Sequence, residues 1–269
     1  MKLLLFVLTL SSYSYAFTLN NNFGGSFKSN KVKVQVAGNS SCSAQTGVTI
    51  YELQSLVEHA IADYWENIPT TNLRLKNDGF TDTITNMYSG RLCAPTDSTC
   101  ISTAPSGTLI PPVNNIVISC NNDPVNFNGA NVFAVSIPNN FSGKKITGSV
   151  ILINDSSTVF STLNREDKIA VLAHEIGHAI GLGHSKDDAA LMYYKQVDMR
   201  RNLGQDDIDG VSYLYPKLAD ACGLFGATIN DVTKIPPTLA QMGISFFMML
   251  ILAKLFKQIR RNLRKTSLS

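Results

Sequence analysis

The chain has 269 residues, with 23 Lys and Arg against 20 Asp and Glu, a net charge of +3. Lys2 and six bases between Lys254 and Lys265 supply seven of those cations, and the rest of the chain holds 16 bases and 20 acids. The basic balance is therefore a property of the ends and is no sign of a nucleic-acid partner; none is expected.

Met1–Ala16 reads as a secretory signal: Lys2 first, an apolar core from Leu3 to Leu10, then Ser14-Tyr15-Ala16 as a small-x-small cleavage site. It is too short for a retained membrane anchor, and no cysteine at the cut suggests a lipoprotein. Residues 17–218 have the length of one domain and show no internal repeat. Lys31–Val36 reads as a strand. A helix is expected to begin near Thr49, with Glu52 three residues on as a capping box, and to end by Pro69. Its apolar stripe is Leu53, Leu56, Val57, Ala60, Ile61, Tyr64 and Trp65; His59 falls off that stripe, as a solvated histidine does. Leu73–Leu75 is a short strand candidate. Asn77–Pro112, rich in Gly, Ser, Thr and Pro, reads as loop. Further strands are expected at Ile116–Ser119, Val132–Ile137 and Val150–Ile153. Val132–Ile137 is the candidate edge strand for pairing with an extended substrate, with an interior strand as the alternative.

Five cysteines suit an oxidising compartment. Cys42, Cys93, Cys100 and Cys120 allow two disulfides whose pairing the sequence leaves open, although Cys93 and Cys100 are near enough to close a short loop. Cys222 is left over, and the lack of a C-x-x-C pair argues against cysteine zinc ligands.

The most specific signal is His174-Glu175-Ile176-Gly177-His178-Ala179-Ile180-Gly181-Leu182-Gly183-His184, a complete H-E-x-x-H-x-x-G-x-x-H pattern. Two histidines four apart stack on one helical face and can share a metal ion. Gly181 lets the backbone leave the helix in a conformation that a residue with a Cβ resists. His184 then returns as a third nitrogen ligand. Three protein ligands leave the fourth tetrahedral position open, the mark of a catalytic zinc. Glu175 stands beside the first ligand, placed to act as general base on a water there. Three of the chain's four histidines fall in this window, so a chance helix is a poor explanation.

The motif resembles that of the metzincins and, within them, the matrixins. The likeness continues through His184-Ser185 and Lys186–Tyr193 to a Met-turn at Met192, and through Gly204–Val211 and Tyr213–Tyr215 to a final helix, covering Asn164 to Pro216. It implies an α+β fold: a metzincin-like zinc peptidase domain with a twisted mixed β-sheet and three α-helices. It implies Met192 as an apolar floor under one catalytic Zn2+, and His174, His178 and His184 as the metal ligands. The sequence departs from the family at Tyr194, where many matrixins carry proline; it is expected in the wall of the specificity pocket, the alternative being the zinc-approaching tyrosine of astacin- and serralysin-type metzincins, a fifth ligand or transition-state donor. His59 alone cannot supply the second, structural zinc of animal matrixins. Nothing resembles their cysteine-switch segment, and the sequence does not specify calcium.

Residues 219–238 read as a linker. The apolar run at 239–256, followed by the basic tail 257–269, has the pattern of a transmembrane helix with its cytoplasmic flank. It stands at the short end for a span; a C-terminal sorting signal cut after export is the alternative. The expected protein is thus an exported zinc endopeptidase in the secretory pathway. It is anchored with its catalytic domain outside the cytoplasm, or released or re-anchored after processing, and it acts on protein or peptide substrates. The rival reading is a non-catalytic binding or adhesion module that keeps the zinc.

Overall fold

The computed structural model describes residues 17–20, 25–38, 42, 45–195 and 199–217. The signal-like segment, the apolar run at 239–256 and the basic tail lie outside them. Among the described residues, no helix is long and apolar enough to cross a membrane. The chain divides into two units, Met1–Leu218 and Ala219–Ser269.

Five strands form one sheet: β1 (Lys31–Ala37), β2 (Arg74–Thr81), β3 (Asn115–Asn121), β4 (Ala134–Ser142) and β5 (Lys145–Asn154), in the order β2-β1-β3-β5-β4. The first four in that order run parallel, and β4 returns antiparallel along β5. The segment expected at Val132–Ile137 therefore lies at the sheet edge, not in its interior. Val150–Ile153 extends to Lys145–Asn154 and is buried on both faces.

Alternation explains that double burial. Ile116, Ile118, Cys120, Ile151 and Ile153 face α1 (Ile50–Ala60) and the long helix α3 (Arg165–Ala179). Val117, Val150 and Leu152 point the other way, against Met87, Leu92, Ile110, Val113 and Phe127. A strand covered on both faces reads as a continuous apolar run.

Thr49 caps α1 as expected, its hydroxyl accepting from Glu52 N at 3.1 Å. The helix then widens into a π-helical turn, Ile61–Trp65. His59 is exposed, 3.3 Å from Asp63.

Three expectations need correction. The strand at Leu73–Leu75 continues to Thr81, because pairing with β1 outweighs the poor strand propensity of Asn77, Asp78 and Gly79. The supposed loop Asn77–Pro112 thus holds the end of β2, and also α2 (Ser98–Thr103), a short helix capped by Asp97. With α4 (Gln205–Leu214), four α-helices stand among the described residues where three were expected. The disulfides pair Cys42 with Cys120 and Cys93 with Cys100.

Candidate active site

Helix α3 starts at Asn164, whose side chain accepts from Asp167 N at 2.9 Å. Glu166 and Asp167 add negative charge to the first turn, where the helix dipole favours it. The helix runs under the sheet and is nearly all buried from Lys168 to Gly177. Trp65 Nε1 donates to Ala173 O at 3.0 Å, and Ser149 Oγ donates to Ala179 O at 2.8 Å, tying it to the first helical segment and to β5. At its C-terminal end the Tyr215 hydroxyl donates to Ile180 O at 2.7 Å and accepts from Phe27 N at 2.9 Å.

The chain leaves the helix at Gly181, which has φ +112° and stands where a Cβ would meet Gly25 O. This reversal returns His184 to the face that carries His174 and His178. The three imidazoles offer nitrogens that all lie within 4.8 Å of one another, and His178 Nε2 is 3.2 Å from His184 Nε2. Two rings are oriented from behind. His174 Nδ1 lies 2.8 Å from Leu191 O and His178 Nδ1 lies 2.8 Å from Leu182 O. A carbonyl partner fixes the proton on Nδ1 and leaves the Nε2 lone pair for a cation.

Burial keeps these rings neutral. It holds His174 well below the usual imidazole range, lowers His178 to about 4, and lowers His184. Neutral imidazoles are the form that binds metal. Glu175 is buried in the same cleft, and burial pushes its carboxyl up to about 8. Among the described residues its Oε2 has no hydrogen-bond partner. A buried carboxylate oxygen left open beside three converging lone pairs fits a site built for a cation and a polar ligand. A divalent ion would draw the proton off Glu175, since it would be the largest charge in the pocket.

Below the histidines the chain makes the Met-turn. Met192 packs against Gly177, where the missing Cβ leaves room for its sulfur. Ser185 N donates to Met192 O at 2.6 Å. The turn is clamped by Asp207, whose carboxylate accepts from Leu191 N at 2.6 Å, Met192 N at 3.0 Å and Gly204 N at 2.8 Å. Asp207 thus joins the N-terminus of α4 to the floor of the site. No local sequence signal ties Asp207 to the Met-turn; its hold on the turn needed the fold to be seen.

The site opens into a cleft of about 860 Å³. One wall is Val132–Ile137 at the sheet edge; Val171 and Tyr194 also line the cleft, and Tyr194 is 51% exposed. Thr18, Leu19 and Asn20 line it as well, which sequence reasoning missed because no local signal links them to a motif 160 residues away.

The matrixin family model matches residues 118–216, from β3 through the end of α4. The chain carries a matrixin-like metzincin domain. That domain is 53% identical over 51 residues to metalloendoproteinase 1 of Glycine max, covering 18% of this chain and 17% of the relative. It is 52% identical over 50 residues to matrix metalloproteinase-18 of Xenopus laevis, covering 18% and 11%. A probable matrix metalloproteinase of Invertebrate iridescent virus 3 is 44% identical over 45 residues, covering 17% and 12%. The matches span less than a fifth of each of these relatives. The matrixin-like domain keeps the order of zinc-helix motif, Met-turn and final helix, and carries Tyr194 just after the turn.

Proposed function

We propose that the chain is an exported zinc-dependent endopeptidase in which His174, His178 and His184 hold one catalytic ion and Glu175 is the general base. One observation carries this reading. Three neutral imidazoles converge beside a buried carboxylate with an open oxygen, all in one cleft. When bound, zinc supplies a Lewis acid that acidifies water and polarises a carbonyl oxygen. Glu175 accepts a proton from the attacking water and passes it to the leaving amine. Its low-dielectric surroundings make that transfer sensitive to small changes in position.

Strand β4 is last in the sheet order, so its outer backbone groups border the cleft. An extended peptide laid along Val132–Ile137 would add a strand there and present its scissile carbonyl to the histidines. Val171 and Tyr194 would receive substrate side chains. Export rests on Met1–Ala16, and attachment or C-terminal processing on the apolar run at 239–256.

The test is chelation and rescue. The purified chain should cleave a quenched peptide library, stop on removal of metal and recover on addition of one equivalent of zinc. Stoichiometric zinc binding without cleavage would mark a binding module instead.

A further inference from the structure

The loop that carries His184 has neither helix nor sheet of its own. It is held by the segment Thr18–Asn20, which runs antiparallel beside it. Asn20 N donates to Gly181 O at 2.9 Å and Gly183 N donates to Thr18 O at 2.8 Å, with Leu19 and Leu182 paired between them. Two side chains continue this pairing onto the ligands themselves. Thr18 Oγ1 donates to His184 O at 2.5 Å, and Asn20 Nδ2 donates to His178 O at 2.9 Å. The fit is close enough that a Cβ on Gly183 would strike the Thr18 hydroxyl and come within 3.0 Å of the Leu19 backbone.

The three ligands are therefore positioned differently. His174 and His178 stand on a buried helix and are oriented through Nδ1. Among the described residues no carbonyl orients the His184 ring, so its place depends on where the backbone of 181–184 is held. We propose that Thr18 and Asn20 are positioning residues for the metal centre: they form a strap that fixes the third ligand and, through Asn20, the end of the zinc helix. This rests on the metal-centre reading above. Neither side chain takes part in the chemistry; both act through backbone carbonyls of ligand residues. The strap also lines the substrate cleft, so its loss should alter the metal site and the cleft wall together.

The test measures metal binding by chelator competition in the full chain, apart from turnover. The Thr18→Val/Asn20→Ala double variant should bind zinc about 10-fold to 100-fold more weakly, the range for groups that orient metal ligands from outside the coordination sphere. Gly183→Ala, which crowds the strap from the loop side, should weaken it in the same direction. Thr18→Ser keeps the hydroxyl and should retain affinity. The visible spectrum of the cobalt-substituted chain adds a readout of coordination geometry. It should lose tetrahedral intensity in the double variant and in Gly183→Ala but not in Thr18→Ser. Each affinity is read below the melting temperature of that variant's metal-free form, so unfolding cannot imitate the effect. Wild-type affinity and spectrum in both the double variant and Gly183→Ala would overturn the strap. Failure of the unaltered chain to bind zinc would overturn the metal centre itself.

Discussion

The two halves of this fold hold their irregular segments by different means. Between α3 and α4, the turns at 180–195 carry the third histidine and the Met-turn without any cystine among the described residues. They are fixed by Asp207, by the strap at Thr18–Asn20, and by carbonyls that accept from buried side chains. The excursion at 82–114 is instead stapled by Cys93–Cys100 and hung on two asparagines. Asn121 Nδ2 donates to Met87 O and Gly90 O at 2.9 Å, while Asn126 donates to Gly90 O at 2.8 Å and accepts from Leu92 N at 2.7 Å. Cys42–Cys120 adds a second cross-link, from the stretch before α1 to β3. The difference shows what each region needs. A ligand loop must hold nitrogens in register to fractions of an ångström, which directional hydrogen bonds do well. A cover on one face of a sheet needs only to stay in place, and a cross-link does this by restricting the unfolded chain.

The sharpest way to break that comparison is at the ligand loop. His184→Ala should lower zinc affinity by more than about 100-fold, the ceiling for changes outside the coordination sphere, as measured by chelator competition. A modest loss would mean that the loop does not deliver a ligand. Next in size, opening Cys42–Cys120 by paired serine substitution should cost up to about 4.5 kcal/mol by loop entropy, given its separation of 78 residues. Urea unfolding reads this directly.

Asp207→Ala should cost about 3 kcal/mol, because the buried N–H groups of Leu191 and Met192 lose their acceptor. Unlike the disulfide change, it should also weaken zinc binding, since Leu191 O orients His174. Opening Cys93–Cys100, separated by 7 residues, should cost about 2.5 kcal/mol and leave cleavage of short peptides unchanged. Equal damage to turnover from the Asp207 and Cys93–Cys100 variants would erase the distinction between the two regions.

The smallest effect is on pH dependence, in metal-free protein. Burial raises Glu175 to about 8, so from there down to about 6.5 the folded chain holds a proton that the unfolded chain lacks. Stability rises with acidity over that window by about 1.4 kcal/mol per pH unit. Below 6.5 the unfolded chain protonates His174 and His178, which the fold keeps neutral, with His178 at about 4. Two imidazoles against one carboxyl leave a net loss of about 1.4 kcal/mol per unit on further acidification. His184, half exposed and screened, adds little. The melting temperature of the metal-free chain should therefore peak near neutrality; Glu175→Gln should flatten the alkaline side and steepen the acid side to about 2.7 kcal/mol per unit, because no carboxyl then offsets one of the two imidazoles.

Legibility in the sequence followed the range of the forces involved. The convergence of His174, His178 and His184 could be read because helix geometry alone places residues four apart together, and because Gly181 marks the exit. The strands β1, β3, β4 and β5 could be read from short apolar, β-branched runs. What escaped were features fixed by distant partners. β2 runs on through Asn77–Gly79 only because β1 pairs with it. The excursion acquires α2 and a packed face only because Met87, Leu92 and Ile110 find Val117, Val150 and Leu152. Thr18 and Asn20 look like ordinary polar residues until the loop at 181–184 lies beside them.

The account rests most heavily on the division of labour inside one helical turn, where His174 and His178 hold metal and Glu175 does not. The decisive measurement compares zinc content and turnover of a quenched peptide in Glu175→Gln and in the unaltered chain. The account predicts one zinc in both, with turnover lowered at least about 100-fold in the variant, the scale of a lost general base. Full turnover in Glu175→Gln, or loss of the zinc along with it, would contradict the assignment.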